Sequence, residues 1–502
     1  MIGRKSFLIV LSRAASAGLA FIGLAFITRY LGKDIYGSLA WTMAFVATFN
    51  SIADLGFSSA HIKRVSEGKK IDDCVSTFMV VKLFLTGIMV VTVLVSIFVW
   101  TGFSGEQYSS TTLSLILMFI LYYVFYDVAS IATATFDARV QTARTQVSAL
   151  MDPLIRVPLV VFVCVNRMGA LELAYAYVLG GLGVAVVGLL LLSRERLYFR
   201  RPRLLKSYVS FAIPIALVSV MAAVSSNADK LLIGFFWSDA NVADYSVSQS
   251  FLSLFAVIGT AVSTLTFPTF SRMQTERRTE EMRSKTRLAE RYISMLAFPI
   301  VILILLFPEQ ILVVIFSATY ETAANPLRFL SISMLLTLLN GVYASQINAV
   351  NRPDITAKLT FLSLVVNIAL LVVFIPTSIL GIKLLGLSAT GAAIANVIGV
   401  ATLFVATRLI VFKLTGTRSN RGILYHIVAG IMAGAVLAIL NTFWTIGRWF
   451  DVIGYGLISV GLFAGILYFM RQLTKEDIRF FLSVINPMEM KDYISSELKR
   501  RP

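Results

Sequence analysis

Long apolar runs separated by short polar links make up most of the chain. A helix needs about 20 apolar residues to cross a hydrocarbon core about 30 Å thick. By that measure the pattern predicts about fourteen spanning helices. They lie near residues 7–30, 38–62, 75–100, 111–136, 146–166, 169–193, 208–236, 241–270, 290–316, 323–350, 356–376, 388–412, 422–444 and 449–470. Backbone polar groups in lipid must be satisfied within the segment, so the spans are helical. The runs are continuous and do not alternate over about 10 residues, which excludes a transmembrane barrel. Several exceed the minimum length and imply tilt or extension into water.

The links alternate in charge. Arg4–Lys5, Lys63–Lys70, Arg139–Arg144, Arg194–Lys206, Arg272–Arg291, Arg352–Lys358, Arg408–Arg421 and the tail after Arg471 carry most of the 44 basic residues. The opposite set holds only Lys33, Arg167, Lys383 and Arg448. The positive-inside rule then places both termini in the cytoplasm, as an even number of spans requires. The expected location is the cell membrane, with many passes. The external links are too short for an external domain.

The expected domains follow from these links. Residues 1–193 form an N-terminal six-helix lobe, and 194–207 a basic cytoplasmic linker. Residues 208–413 form a C-terminal six-helix lobe, and 414–470 two additional spanning helices. Residues 471–502 form a cytoplasmic amphipathic tail. There Thr474 and Asp477 have capping-box spacing, and Ile478, Phe481, Leu482 and Ile485 share one helix face. Pro487 ends that run, and Met490, Ile494 and Leu498 begin another.

Composition agrees with an all-α polytopic membrane protein. The 502 residues are 57% hydrophobic and 14% charged, with mean hydropathy +0.82; soluble domains average roughly 25% charged. The net charge of +17 lies in the links, so it reads as a topology signal and contact with anionic lipid, and not as a nucleic-acid surface. Cys74 and Cys164 are too few for a disulfide framework or a metal motif, and His61 and His426 do not suggest a metal or catalytic centre. No cofactor is expected. Ala15-Ser16-Ala17 imitates a signal-peptidase site, but Arg13 interrupts the apolar stretch before it and the helix pattern runs on to Tyr30. The first span is read as uncleaved.

Short motifs then suggest a family. The first half contains Arg29-Tyr30-Leu31-Gly32, Tyr36-Gly37 and Ala53-Asp54-Leu55-Gly56. The second contains Phe211-Ala212-Ile213-Pro214, Asn227-Ala228-Asp229-Lys230, Val242-Ala243-Asp244-Tyr245, Phe267-Pro268-Thr269-Phe270-Ser271-Arg272 and Phe316-Ser317-Ala318-Thr319-Tyr320. Asn351-Arg352-Pro353 and Gly386-Leu387-Ser388-Ala389-Thr390-Gly391-Ala392-Ala393 complete the set. In their order and spacing they resemble the oligosaccharide flippases, or polysaccharide biosynthesis proteins, of the multidrug/oligosaccharidyl-lipid/polysaccharide exporter superfamily. The tail from Leu473 to Leu498 resembles that of archaeal members. The resemblance implies two six-helix lobes around a central cavity, with alternating access. A faint repeat accompanies it: Arg29-Tyr30-Leu31-Gly32 against Asp229-Lys230-Leu231-Leu232, and Tyr36-Gly37-Ser38 against Tyr245-Ser246. These motifs are rich in turn and packing residues, so they speak to fold more than to cargo.

A charge at the bilayer centre costs at least about 2.5–3.5 kcal/mol on insertion scales, so each one calls for a partner or a watery cavity. The candidate substrate-binding residues are Arg13, Arg29, Asn50, Asp54, Lys82, Asp127, Arg156, Asp229 and Lys230. Asn50, Asp54, Ser58 and His61 form one helical stripe; Ser219, Ala222, Ser226 and Asp229 form another, and Ser246, Ser250, Ser253, Thr260 and Thr264 a third. These stripes read as cavity walls or as close helix packing. Arg13 reads as a pyrophosphate contact or as the ionic partner of Asp54 or Asp127. Asp152 and Arg156 fit a local ion pair. Arg29, Lys82 and Lys230 could also anchor at a membrane face. Arg328 reads as structural, and His61 as a satisfied interfacial residue, with a proton switch as the alternative. Asn340, Asn348, Asn367 and Asn396 fit either the second lobe's cavity wall or hydrogen bonds between helices.

The function these readings converge on is translocation, not catalysis. A polyprenyl-(di)phosphate-linked oligosaccharide carries phosphates that suit the forked donors of Arg, and a prenyl tail that can stay in lipid. The expected flippase moves it from the cytoplasmic to the external leaflet as a monomer among membrane lipids, with a proton or sodium as the open choices of coupling ion. An ion-coupled multidrug exporter is the alternative. A membrane glycosyltransferase or polymerase fits less well, because the external links cannot hold a catalytic centre. The absence of a Walker motif argues against a primary pump.

Overall fold

Apolar runs of this length form helices throughout, but the two stretches richest in polar residues do not stay continuous. The structure, a computed structural model, describes residues 2–104, 109–195, 197–199, 201–420, 422–474 and 477. In chain order the helices are α1 (Ile2–Tyr30), α2 (Lys33–Asn50), α3 (Phe57–Ser66), α4 (Ile71–Ser104), α5 (Ser110–Ala138), α6 (Thr142–Val165), α7 (Ala170–Ser193) and α8 (Leu205–Phe236). There follow α9 (Asp239–Ser253), α10 (Ala256–Thr275), α11 (Thr279–Leu306), α12 (Pro308–Ile315), α13 (Ala324–Ala349), α14 (Pro353–Phe374), α15 (Ser388–Thr415), α16 (Gly422–Phe443) and α17 (Trp449–Phe469). Among the described residues, 12 helical segments are long and apolar enough to cross a membrane. The expected second and eighth spans are the pairs α2/α3 and α9/α10, which with those 12 account for the fourteen stretches expected.

The break between α2 and α3 has a local cause. The chain leaves α2 through one 3-10 turn at Ser51–Ala53 and then takes positive φ at Leu55 (43°) and Gly56 (81°). The Asp54 carboxylate accepts from the Gly56 and Ser58 amides at 3.2 and 3.3 Å and from the Ser58 hydroxyl, so it caps the start of α3. A Cβ at Gly56 would lie 2.8 Å from Ile215 Cβ, so α8 passes directly over the bend. The expected continuous stripe from Asn50 to His61 is therefore interrupted. A second difference lies in the ninth span, where α11 stops at Leu306 and Pro308 opens α12. Proline tolerates the first helical turn but not the interior hydrogen-bond ladder. Between α14 and α15, Leu380 and Gly381 (φ 50° and 83°) turn a two-residue hairpin joining β1 (Ser378–Ile379) to β2 (Ile382–Lys383) in antiparallel register.

The helices fall into two compact units. One contains Leu11–Val247 and Ile368–Ala392. In it α7 packs closely on α5 and α6 because its glycines admit neighbouring side chains. A Cβ at Gly183 would meet Ile155, and one at Gly181 would lie 3.1 Å from Tyr122. At the start of α2, a Cβ on Gly37 would run into the Asp239 carbonyl oxygen of α9. Lys33 clasps Asp244 at 2.6 Å in the same place, and the Trp41 indole lies against Gly234 of α8. The other unit contains Met1–Val10, Ser248–Asn367 and the chain from Ala393 onward. Its core joins α10, α11 and α13 through Phe270, Met282, Ile293, Leu338 and Val342. The final helices α16 and α17 pack on α11 through Met295, Ala429, Ala433 and Phe463.

Beyond α17, the expected capping box is formed. The Thr474 amide donates to Asp477 Oδ2 at 2.8 Å, and the Asp477 amide to Thr474 Oγ1 at 3.2 Å. The amphipathic run expected from Ile478 to Leu498 lies outside the described residues.

Candidate functional site

The unit containing α1–α8 gathers most of the charged candidates, and three of them meet. Lys82 on α4 is buried, and its ammonium lies 2.8 Å from Asp127 on α5 and 3.7 Å from Asp54 at the α2/α3 bend. Thr86, one turn along α4, donates to Asp127 at 3.3 Å. The side-chain exposures are 3% for Lys82, 6% for Asp127 and 35% for Asp54, so the cluster is open only on the Asp54 side. One ammonium serves two carboxylates, which leaves the cluster with one net negative charge when all three ionise. Asn50, at the end of α2, has a buried side-chain oxygen with no hydrogen-bond partner among the described residues. Lys82 is thus an internal counter-ion and does not reach for a membrane face. It also takes the place that sequence reasoning offered to Arg13 as the partner of Asp54 or Asp127.

Arg13 lies exposed on α1, with no ion-pair or hydrogen-bond partner among the described residues. Arg29 is exposed on the last turn of α1. Arg156 is different. Its Nε and Nη2 bind the Asp152 carboxylate in bidentate fashion at 2.9–3.2 Å, and its guanidinium covers the Tyr177 ring at 4.6 Å. The fork is filled as the i,i+4 spacing led one to expect. Asp229 is buried on α8 and accepts from the Lys230 amide at 2.8 Å; Lys230 is half-buried. In the same stripe, Ala222 and Ser226 are exposed, and the Ser226 hydroxyl donates back to the Ala222 carbonyl at 2.8 Å.

His61 is fully buried, bonded to Tyr208 and Thr135 at 3.0 Å each and stacked on Phe78. It is a satisfied core residue, but a deeper one than an interfacial position implies. Of the third stripe, Ser246 is buried and Ser253 exposed; the Thr260 and Thr264 side chains lie outside the described ones.

The second unit holds a charged network that sequence reasoning missed. Arg408 and Glu290 were counted with the basic links, yet Arg408 sits within α15 and bonds Glu290 of α11 at 3.1 Å. Glu290 also accepts from the Asn420 amide at 3.0 Å, and Tyr343 meets the Arg408 guanidinium. α11 begins at Thr279, so Glu290 lies well inside the helix. Arg328 pairs with Glu309 at 2.8 Å, a structural role as expected. Asn348 accepts from Thr356 at 2.9 Å. Asn396 instead lines a cavity of about 200 Å³ with Gln249, Ser333 and Thr337.

Outside the spans, Glu195 ties the end of α7 to the α5–α6 link. It bonds Arg139 at 2.6 Å and also Arg144. These guanidinium hydrogen bonds hold its carboxyl below the usual glutamate range.

The chain is 24% identical over 476 residues to the "Probable flippase AglR" of Haloferax volcanii, covering 92% of this chain and 95% of that one. It is 21% identical over 402 residues to the "Probable low-salt glycan biosynthesis flippase Agl15" of the same organism, covering 80% and 81%. Its fold matches the solved structure titled "Lipid II flippase MurJ, inward closed conformation", with a TM-score of 0.71, 12% identity, and coverage of 92% of this chain and 99% of that one. Residues 26–325 match the family described as "Polysaccharide biosynthesis protein", and this chain, a multi-span membrane protein with a flippase-type transporter fold, belongs to that family.

Proposed function

We propose that the protein is a flippase that carries a polyprenyl-(di)phosphate-linked oligosaccharide from the cytoplasmic to the external leaflet by alternating access. Relatives that carry flippase names over most of both lengths support this reading. The observation that carries it is Arg13. Lys82, Arg156, Arg328 and Arg408 each sit on a carboxylate, whereas Arg13 has no carboxylate among the described residues. An Arg at membrane depth without a counter-ion is costly, and a phosphate cargo offers the planar guanidinium two oxygens at once.

The rest of the proposal follows from that cargo. Residues 1–193 and 208–413 act as two six-helix lobes joined by 194–207, with 414–470 as an added pair of spans and the tail from 471 in the cytoplasm. Both termini are cytoplasmic, the membrane is the cell membrane, and the working unit is a monomer. The protein moves its cargo without making or breaking glycosidic bonds. Asp54, Lys82 and Asp127 form the polar interior that takes part in coupling to a proton or sodium; Asn50, Arg29, Asp229 and Lys230 contribute further polar wall. Arg156 is held by Asp152 and supports that wall without contacting the cargo.

Reconstitution into liposomes with fluorescent polyprenyl-diphosphate sugars, followed by a protection assay, tests the proposal. Arg13→Ala removes charge-assisted hydrogen bonds worth about 1.5–3 kcal/mol and should slow flipping roughly 10- to 100-fold while the protein still folds. Arg13→Lys should recover only part, because an ammonium lacks the planar fork. A folded Arg13→Ala protein that flips at the original rate removes the phosphate-contact role.

A further inference from the structure

The unit containing α10–α13 holds a cavity with a polar side. It lies between α9, α13 and α15 and is lined by Gln249, Ser333, Thr337 and Asn396 on its polar side. Leu252, Leu330, Met334 and Leu338 make the rest of its wall. Among the described residues, no charged one lines it. Ser333 is 5% exposed, and its hydroxyl is buried with no hydrogen-bond partner among the described residues. Leaving such a group unmade costs about 1–3 kcal/mol, so a ligand group that gives the Ser333 hydroxyl a partner gains in binding what the fold leaves unmade.

Three ligand classes can be compared with this lining. A phosphate would enter without a single cation to neutralise it, at a desolvation cost that neutral amides and hydroxyls do not offset. A prenyl chain would leave Ser333 unsatisfied and strand the amides of Gln249 and Asn396. A neutral, hydroxyl-rich ring does neither. The amides and hydroxyls can each donate or accept, and the Leu and Met side chains match the apolar C–H face of a pyranose. The volume, about 200 Å³, falls below the ~300–1,000 Å³ typical of sites for whole small-molecule ligands. It suits one sugar unit and not an entire oligosaccharide.

We propose that Gln249, Ser333, Thr337 and Asn396 form a subsite for a single neutral sugar ring, which selects cargo by its sugar and not by its phosphate. The identity of the ligand rests on the flippase reading; the chemistry of the pocket does not. Side chains on three separate helices meet there, so an occupant would bridge α9, α13 and α15.

Saturation-transfer NMR on the full chain in nanodiscs tests it directly. The probes are the methyl glycosides of glucose, galactose, mannose and N-acetylglucosamine, with methyl glucuronide and inorganic pyrophosphate for comparison. At least one neutral glycoside should show transfer, and the glucuronide should be weaker. Asn396→Leu and Ser333→Val should each cut the neutral signal about tenfold, the loss expected for one satisfied hydrogen bond made impossible. Ser333→Ala, which cannot overfill the site, guards against a misfolded Val variant, and thermal unfolding confirms folding of each. Absence of transfer from every neutral glycoside overturns the proposal and leaves a water-filled packing gap. Equal transfer from the glucuronide, variants that bind as well as the original chain, or stabilisation by sodium that vanishes in Ser333→Ala without any glycoside binding overturn it too. The liposome assay separates the two readings. Glycoside binding that depends on Ser333 in a protein that moves no lipid-linked sugar upholds the subsite and removes the flippase reading.

Discussion

Lys82→Met is the most informative single change, because the side chain keeps its length and loses only its charge. At an effective dielectric of about 20, an ammonium 2.8 Å from a carboxylate gains about 6 kcal/mol of Coulomb energy, and one at 3.7 Å about 4.5 kcal/mol. Screening reduces the Asp54 part, since Asp54 is about one-third exposed, and desolvation of Lys82 and Asp127 offsets much of the remainder. What persists is the cost of leaving a carboxylate buried without its cation, about 3–5 kcal/mol. Asp127→Asn should cost less, about 1–2 kcal/mol, because Lys82 still has Asp54 within reach and Thr86 can donate to the new amide oxygen. The double variant should recover most of the Lys82→Met loss, since Asp127 then carries no charge to strand. Equilibrium unfolding in bicelles, with all four proteins compared as a double-mutant cycle, measures these differences. Lys82→Met as stable as the original chain, Asp127→Asn costing more than Lys82→Met, or a double variant that sums the two losses would each refute the three-member cluster.

Further outcomes follow from the packing and the links. Gly37→Ala gains about 1 kcal/mol of helix propensity but drives a Cβ into the Asp239 carbonyl oxygen. Overpacking of that kind costs about 1–3 kcal/mol, so the variant should unfold earlier than the original chain; equal or greater stability shows that α2 and α9 part freely. The Glu195 carboxyl titrates below its ordinary value because of Arg139 and Arg144. Its contribution is therefore present above about pH 4.5, the unfolded value, and is lost as pH falls through the lower folded value. Proteolysis of the 194–204 link should be flat from pH 8 to pH 5 and rise only in more acidic buffer, and Glu195→Gln should abolish that rise by making the link labile throughout. Reporter fusions near Lys69, Arg201 and Arg277 should all read cytoplasmic, and an external signal at any of them overturns the orientation.

Much of the architecture was legible along the chain, because an apolar run of sufficient length has one stable state in lipid. Thirty or so residues such as Ile71–Trp100 must be helical wherever their neighbours lie. The Thr474–Asp477 cap and the Asp152–Arg156 pair were equally legible, since both depend only on spacing within one helix. The bends were half-visible. Asp54 and Gly56 stand in the sequence as an acid and a glycine inside an apolar run, but a stripe and a bend are alternatives until the φ of Gly56 and the passage of Ile215 over it decide between them.

Partnership across helices was not legible. Lys82 read equally as a membrane-face anchor or a cavity residue, and Arg13 equally as a phosphate contact or the partner of Asp54. Distance between α4, α5 and the α2/α3 bend decides this, and 45 residues of chain separate Lys82 from Asp127. Arg408 and Glu290 stood at the basic ends of the expected spans 388–412 and 290–316, and only the approach of α11 and α15 brings them to 3.1 Å. The sequence by itself determined which segments are helices, since that is a local balance between backbone hydrogen bonding and the surrounding solvent. Only the tertiary structure decided which charges neutralise one another and which cavity is left neutral. Those depend on how side chains from different helices are brought within a few ångströms, where Coulomb and desolvation energies of several kcal/mol change sign with the partner.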